Sequence, residues 1–365
     1  MSETFVARDR TVSRPAVRIL CYGAGAVGSF VAARLGLTGA DVTLLGRPAA
    51  VASLAGTGLA LETGGRTFVA LVRSVASIDA VRMPPDLVFL AIKSYDTQAA
   101  LPDLKRLADM GATICTMQNG VGNEEALIAA LGAKHVLSGA ITISISMPEP
   151  GLVVQHTGEG GVAFAPVPGG PTPGTALAIF DEAGLPAVGV ASYHDLKWSK
   201  LLLNLLANAQ AAILDSDAST IVNDPALFGV EQRAFREALR VMRRVPARPI
   251  MVPGYDVPKL ALAIRFPRPV AWRLLKERIG GGRGEKRPSL ALDLARGKRQ
   301  TEVDWLNGAV ERAAREYGMR APVNATLAAL VGQLAADPAA CPPVSERRAW
   351  LQSSLRERGV RARLT

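Results

Sequence analysis

Six residues, Gly23-Ala24-Gly25-Ala26-Val27-Gly28, narrow the choice of folds more than any other part of the chain. They follow the apolar run Val17-Arg18-Ile19-Leu20-Cys21-Tyr22 and lead into Ser29-Phe30-Val31-Ala32-Ala33-Arg34-Leu35, so the segment reads as strand, tight turn, helix. After Thr38-Gly39, residues Ala40 to Leu45 read as a second strand and complete a βαβ unit of roughly thirty residues. Glycines at such a turn let a pyrophosphate approach the backbone and rest on the helix N-terminus, where free N–H groups and the helix dipole favour anions. Gly23, Gly25 and Gly28 take those places, with Ala24, Ala26 and Val27 between them. The pattern alone is weak, since a plain tight turn also uses glycine; its place inside a βαβ unit selects a dinucleotide.

The end of the second strand indicates which dinucleotide. A carboxylate there would hold a ribose 2′-hydroxyl, whereas an arginine suits a 2′-phosphate. The strand ends Leu45-Gly46-Arg47, which favours NADP over NAD; an exposed loop arginine before Pro48 is the alternative. Leu59 to Val72 reads as a hairpin turning at Gly64-Gly65. Pro85 to Ile92 and Ala112 to Met117 read as buried strands, with Lys93 and Asn119 just beyond their carboxyl ends, where doubly wound sheets bind ligands. A solvated lysine and a plain Asn-Gly turn are the bland readings of these two. Further strands are expected at 153–155 and 161–164, and a helix over 175–183.

From Asp195 onward the pattern is helical, over 197–214, 225–245 and 305–317. The first carries Lys200, Asn204 and Asn208 at i, i+4 and i+8, one polar face on an otherwise leucine-rich helix. Burying such groups is costly without partners, which favours a site lining over a solvated stripe. Thr301-Glu302-Val303-Asp304 precedes another helical stretch, and taken alone it reads as a helix cap with Glu302 favoured by the dipole. The fold class expected is α/β: a Rossmann-type dinucleotide-binding domain over 17–190, then an all-helical domain over 191–345. A polar extension at 1–16, an irregular or partly helical basic insertion at 246–288 and a basic tail at 346–365 complete the division.

Composition excludes several functions. Three scattered cysteines and three histidines build neither a disulfide framework nor a metal site, and no metal is expected. No apolar run reaches the ~18 residues a membrane span needs, and a cytoplasmic protein is expected. The net charge of +10 arises in residues 231–300, with 18 basic against 6 acidic residues. A solvated helical face, an acidic metabolite and nucleic acid could each explain that window; 5% aromatic content and the lack of a recognition-helix pattern count against nucleic acid.

Taken together, the glycine turn, Arg47, Ala91-Ile92-Lys93, Gln118-Asn119-Gly120-Val121-Gly122, Trp198-Ser199-Lys200 with Asn204 and Asn208, Ser289 to Asp293, and Thr301 to Gly308 resemble the ketopantoate reductase family (2-dehydropantoate 2-reductases). The resemblance implies NADPH-dependent reduction of a 2-oxo acid to a 2-hydroxy acid, with ketopantoate and D-pantoate as the family's substrate and product in pantothenate and coenzyme A biosynthesis. It implies that Lys200 is the general acid and that Asn204, Asn208 and Ser289 hold substrate. Asn119 would touch both substrate and cofactor, and Glu302 and Lys93 would complete the site on the cofactor side, Glu302 with a catalytic part. A homodimer stays open.

Three departures concern the substrate side. Asp217-Ala218-Ser219 stands where the family often has Asn-Gly, Pro288-Ser289-Leu290 replaces Ser-Ser-Met, and the interval from Asp293 to Glu302 is one residue longer, which could turn Glu302 away. They leave room for another branched 2-oxo acid. A non-catalytic NADP(H)-binding regulatory module is the reading from a different class, and the retained Lys200, Asn204, Asn208 and Glu302 argue against it.

Overall fold

Short, mostly apolar runs of four to six residues make the central strands, because a parallel sheet covered on both faces needs apolar side chains on both. The computed structural model describes residues 17–281, 287–361 and 364. The extension expected at 1–16, part of the basic insertion and the last residues of the tail lie outside them. In chain order the first half comprises β1 (Ile19–Tyr22), α1 (Ala26–Gly36), β2 (Val42–Leu45), α2 (Pro48–Ala52), β3 (Leu59–Thr63), β4 (Arg66–Ala70), β5 (Arg73–Val75) and β6 (Leu87–Leu90). There follow α3 (Thr97–Asp109), β7 (Thr113–Thr116), α4 (Asn123–Leu131), β8 (Val136–Ile141), β9 (Ile145–Glu149), β10 (Leu152–Gln155), β11 (Val162–Pro166), α5 (Gly174–Glu182) and β12 (Ala187–Gly189).

Eight of these strands form one sheet in the order β12-β11-β8-β7-β6-β1-β2-β5. All its pairs are parallel except β8 with β11. Side chains alternate between two cores. Leu20, Tyr22, Val88 and Leu90 face a core that runs on into the C-terminal helices, whereas Ile19, Cys21, Leu87 and Phe89 face a second one. In that second core Phe180 lies 5.3 Å, centroid to centroid, from both Phe89 and Phe164. It also packs against a small sheet, β4-β3-β10-β9, that the sequence showed only as separate pieces. The hairpin over 59–72 is β3 and β4, but β10 then pairs in parallel with β3.

From Tyr193 the described chain is helical: α6 (Tyr193–Leu205), α7 (Asn208–Leu214), α8 (Ala218–Asn223), α9 (Pro225–Met242), α10 (Val257–Ala263), α11 (Arg268–Gly281), α12 (Ser289–Ala295), α13 (Asn307–Glu316), α14 (Pro322–Ala336) and α15 (Arg347–Glu357). One two-strand ribbon, Met251–Val252 with Tyr255–Asp256, interrupts it. Among the described residues, the basic insertion is thus partly helical, with α10, α11 and this ribbon. Its Arg248 and Ile250 amides donate to Asp195 Oδ1 (2.6 Å) and Ser199 Oγ (2.9 Å) of α6, and the Pro253 carbonyl accepts from Thr142 Oγ1 at 2.7 Å. Part of the basic surplus is structural, for the Arg236 guanidinium donates to the carbonyls of Ile264, Arg265 and Phe266.

One expectation needs correction. The helix expected over 197–214 breaks between Leu205 and Asn208, with Ala207 left-handed at φ 53°. A left-handed alanine is unfavourable, and the buried carboxylate of Glu231 compensates by accepting from the Ala207 amide (2.9 Å) and from Gln210 Nε2 (2.5 Å). Asn208 thus opens a new helix instead of continuing the face of Lys200 and Asn204.

Candidate active site

The glycine turn divides its work among three residues. Gly23 has φ +122°, and a Cβ there would meet the Ala91 carbonyl carbon at 2.9 Å; one on Gly28 would meet the Gly23 oxygen at 1.9 Å. Those two let α1 approach the strand ends. Gly25 is different: a Cβ would touch nothing within 4 Å, so the space before it is open. The first turn of α1 carries no capping side chain and no acidic residue, which leaves its amides available to an anion. An open cradle over uncapped amides fits the pyrophosphate of a dinucleotide. Ala24, Ala26 and Val27 complete this turn, and Gly46 comes close to Ala24, so that Arg47 leaves the tip of β2 beside it. Arg47 is 76% exposed and touches Asp96 Oδ2 at a long 3.4 Å.

Beyond β6 and β7 the loops turn toward the helices. Gln118 ties the two strand ends together, donating from Nε2 to the Ile92 carbonyl (3.1 Å) and to Thr97 Oγ1 (2.8 Å). The Asn119 carbonyl accepts from Ser94 Oγ (3.1 Å) and Asn123 Nδ2 (3.0 Å), which leaves the side chain to meet α6: Asn204 Nδ2 donates to Asn119 Oδ1 at 3.2 Å. Gly120 at φ +86° comes so near Trp305 that a Cβ would lie 2.4 Å from its carbonyl oxygen, and the Val121 amide donates to that oxygen at 3.1 Å. This glycine seats the loop on the turn Glu302–Trp305.

Lys93 joins the two halves of the cleft. Its Nζ lies 2.8 Å from Asp293 Oδ2 on α12 and 2.9 Å from Glu302 Oε2, and both carboxylates are buried. Burial works to lower the pKa of the Lys93 ammonium, but Glu302 and Asp293 outweigh it and hold the group above the ordinary lysine value. The longer Asp293–Glu302 interval therefore does not turn Glu302 away. After α12 the chain turns at a left-handed Gly297 (φ 67°), with the Lys298 amide bonded back to the Asp293 carbonyl at 3.1 Å. Thr301 does cap the turn, its Oγ1 accepting from the Val303 amide at 3.4 Å, and Glu302 still reaches Lys93.

Nearby, Asn208 Nδ2 donates to Ser289 Oγ (3.3 Å), and the Leu290 amide donates to Asn208 Oδ1 (3.1 Å). Lys200 is half-buried on α6, one turn before Asn204. Asp217, at the altered position, caps α8 by accepting from the Thr220 amide at 2.6 Å; that backbone bond holds its carboxyl below the usual range. The neighbouring Asp215 pairs with Arg287.

Sequence reasoning gave no role to Asp293, although it lies one helical turn after Ser289. It also missed a buried pair, Lys197 and Glu124, whose charged atoms are 3.2 Å apart. Lys197 donates as well to the carbonyls of Gln118 (2.7 Å) and Gly139 (3.3 Å), and Ser138 Oγ donates to Glu124 at 2.7 Å. This cluster fixes α6 against the segment after β7 and the middle of β8, one turn before Lys200. A lysine between Leu196 and Trp198 within a helical stretch was its trace in the sequence.

Residues 19–169 match the family profile described as "Ketopantoate reductase PanE/ApbA", and residues 193–335 match its C-terminal counterpart. Among curated proteins, the chain is 33% identical over 318 residues to a 2-dehydropantoate 2-reductase of Halobacterium salinarum, covering 86% of this chain and 98% of the relative. It is 31% identical over 320 residues to that of Archaeoglobus fulgidus, covering 86% and 96%. A crystal structure of a PanE/ApbA family ketopantoate reductase from Ralstonia eutropha superposes with a TM-score of 0.74 at 31% identity, covering 87% of this chain and 98% of that one.

Proposed function

Because the chain belongs to the ketopantoate reductase family, we propose that it reduces the 2-oxo acid ketopantoate to the 2-hydroxy acid D-pantoate with NADPH. One observation carries this reading: the Lys93 ammonium, at the carboxyl end of a central strand, binds Asp293 and Glu302 of the helical half beside the Asn119–Asn204 contact. Groups of both halves thus line one cleft next to the open glycine cradle.

Gly23, Gly25 and Gly28, with the first amides of α1, would hold the pyrophosphate, and Arg47 the 2′-phosphate. When bound, the reduced nicotinamide supplies the hydride. Negative charge develops on the ketone oxygen as the carbonyl is reduced, and Lys200 neutralises it by giving a proton to that oxygen. Asn204, Asn208 and Ser289 present amide and hydroxyl donors to the substrate. The Asn119 contact orients Asn204, and the Leu290 amide orients Asn208. Glu302, oriented by Lys93, accepts hydrogen bonds on the cofactor side.

No helix among the described residues is long and apolar enough to cross a membrane. We place the enzyme in the cytoplasm, in keeping with the free thiols Cys21, Cys115 and Cys341; sedimentation equilibrium distinguishes a monomer from a homodimer. The activity is tested by following the loss of reduced-nicotinamide absorbance with ketopantoate, beside NADH and a panel of other 2-oxo acids. Turnover with NADPH and ketopantoate is expected. Turnover confined to another 2-oxo acid would keep the chemistry and move the substrate.

A further inference from the structure

A cavity of about 480 Å³ opens beside the cofactor cradle, lined by Arg47, Tyr95, Lys298, Arg299, Gln300 and Ala336. Its walls come from both halves of the molecule. Arg47 follows β2 and Tyr95 the end of β6, whereas residues 298–300 belong to the lengthened segment between α12 and Glu302, and Ala336 ends α14. Three of the six lining side chains are cationic and none is anionic; Asp96 approaches Arg47 from outside the lining. A pocket of that composition selects an anion, and a phosphate more strongly than a carboxylate.

The segment carrying Lys298 and Arg299 is a built one. Arg296 and Gly297 bond back to the last turn of α12, and the Lys298 amide bonds to the Asp293 carbonyl. At its other end stands Glu302, bound to Lys93. Lys298 and Arg299 are thereby held opposite Arg47 by the same chain that supplies two carboxylates to the cleft.

We propose that Lys298 and Arg299 form, with Arg47, a three-cation clamp on the 2′-phosphate at the adenosine end of the cofactor. Preference for the phosphorylated dinucleotide is then set by both halves of the protein, not by the βαβ unit alone. The inference rests on the NADPH reading given above and adds its second wall.

Calorimetric titration of the full chain with adenosine 2′,5′-bisphosphate and adenosine 5′-monophosphate tests it without turnover. The unaltered protein binds the bisphosphate more tightly. The double variant Lys298→Ala/Arg299→Ala loses at least about ten-fold of that affinity, the loss expected from one charge-assisted contact, and its affinity for the monophosphate stays within about two-fold. Lys298→Arg/Arg299→Lys retains the discrimination, and raising salt narrows the gap between parent and alanine variant. If the alanine variant keeps the bisphosphate affinity while Arg47→Ala loses it, the clamp is wrong and the NADPH reading stands. If the unaltered protein binds both nucleotides equally, the NADPH reading falls, and the clamp with it.

Discussion

Replacing Gly25 by alanine separates a glycine kept for a ligand from one kept for the fold. Gly25 has φ −87° and ψ −175°, an extended conformation that alanine adopts without strain, and a Cβ there meets nothing within 4 Å. The ligand-free protein should therefore keep its melting temperature or gain slightly, since alanine at a compatible site stabilises by about 0.4–1 kcal/mol through the unfolded chain. Binding should suffer instead. The added methyl takes the space into which the uncapped amides of α1 point, so a pyrophosphate would lose one or two charge-assisted hydrogen bonds at about 1.5–3 kcal/mol each. That corresponds to a loss of roughly 10- to 20,000-fold in NADPH affinity. Gly23→Ala and Gly28→Ala are the controls. The first combines φ +122° with a 2.9 Å contact to Ala91, and the second drives a methyl to 1.9 Å from the Gly23 oxygen, so each should destabilise the free protein by about 3 kcal/mol. Scanning calorimetry of the ligand-free variants and fluorescence titration with NADPH provide the two readouts. An unchanged NADPH affinity in Gly25→Ala would show that Gly25 does not face the cofactor, and a melting temperature lowered as far as in Gly28→Ala would show that it is kept for the fold.

Two further expectations concern buried charge. Lys93→Met strands Asp293 and Glu302; a fully buried pair would lose about 3–5 kcal/mol, and with Lys93 35% exposed we expect about 2 kcal/mol. Because the folded protein holds the Lys93 pKa above its unfolded value, this contribution is complete below about pH 10.4 and disappears as pH rises through the folded value. Parent and variant should accordingly differ by a constant amount near neutrality and converge in strong alkali; thermal melts across pH would expose a difference that instead grows. Lys197→Met leaves Glu124 buried and unpaired and should cost about 3–5 kcal/mol. Adding Glu124→Gln should restore about half, since the Gln118 and Gly139 carbonyls still lack their donor; a double variant no more stable than the single one would contradict the pairing.

What the sequence disclosed follows the range of the interactions involved. The βαβ unit, the place of Arg47 at the tip of its second strand, and the strands just before Lys93 and Asn119 were legible because their signals are local: apolar runs of four to six residues ended by glycine or polar residues. The break before Asn208 was not. The leucine pattern runs across it, and the group that stabilises the left-handed Ala207 is Glu231, 24 residues further on. The small sheet was hidden for the same reason, since β3 and β10 pair across some ninety residues. At the site, Glu302 read locally as a helix-capping neighbour, and only the fold brings it to Lys93 from 209 residues away. Lys298 and Arg299 were visible merely as part of a basic surplus.

In the proposed mechanism Lys200 gives the proton while the glycine cradle holds the cofactor. The most direct measurement is turnover of NADPH and ketopantoate by the unaltered protein and by Lys200→Ala, with NADPH affinity measured on both. Turnover by the parent, a loss of about 100- to 10,000-fold in kcat for the variant, and NADPH binding within about two-fold are expected. A variant that turns over as fast as the parent, or a parent that binds NADPH and reduces no 2-oxo acid, would contradict that mechanism.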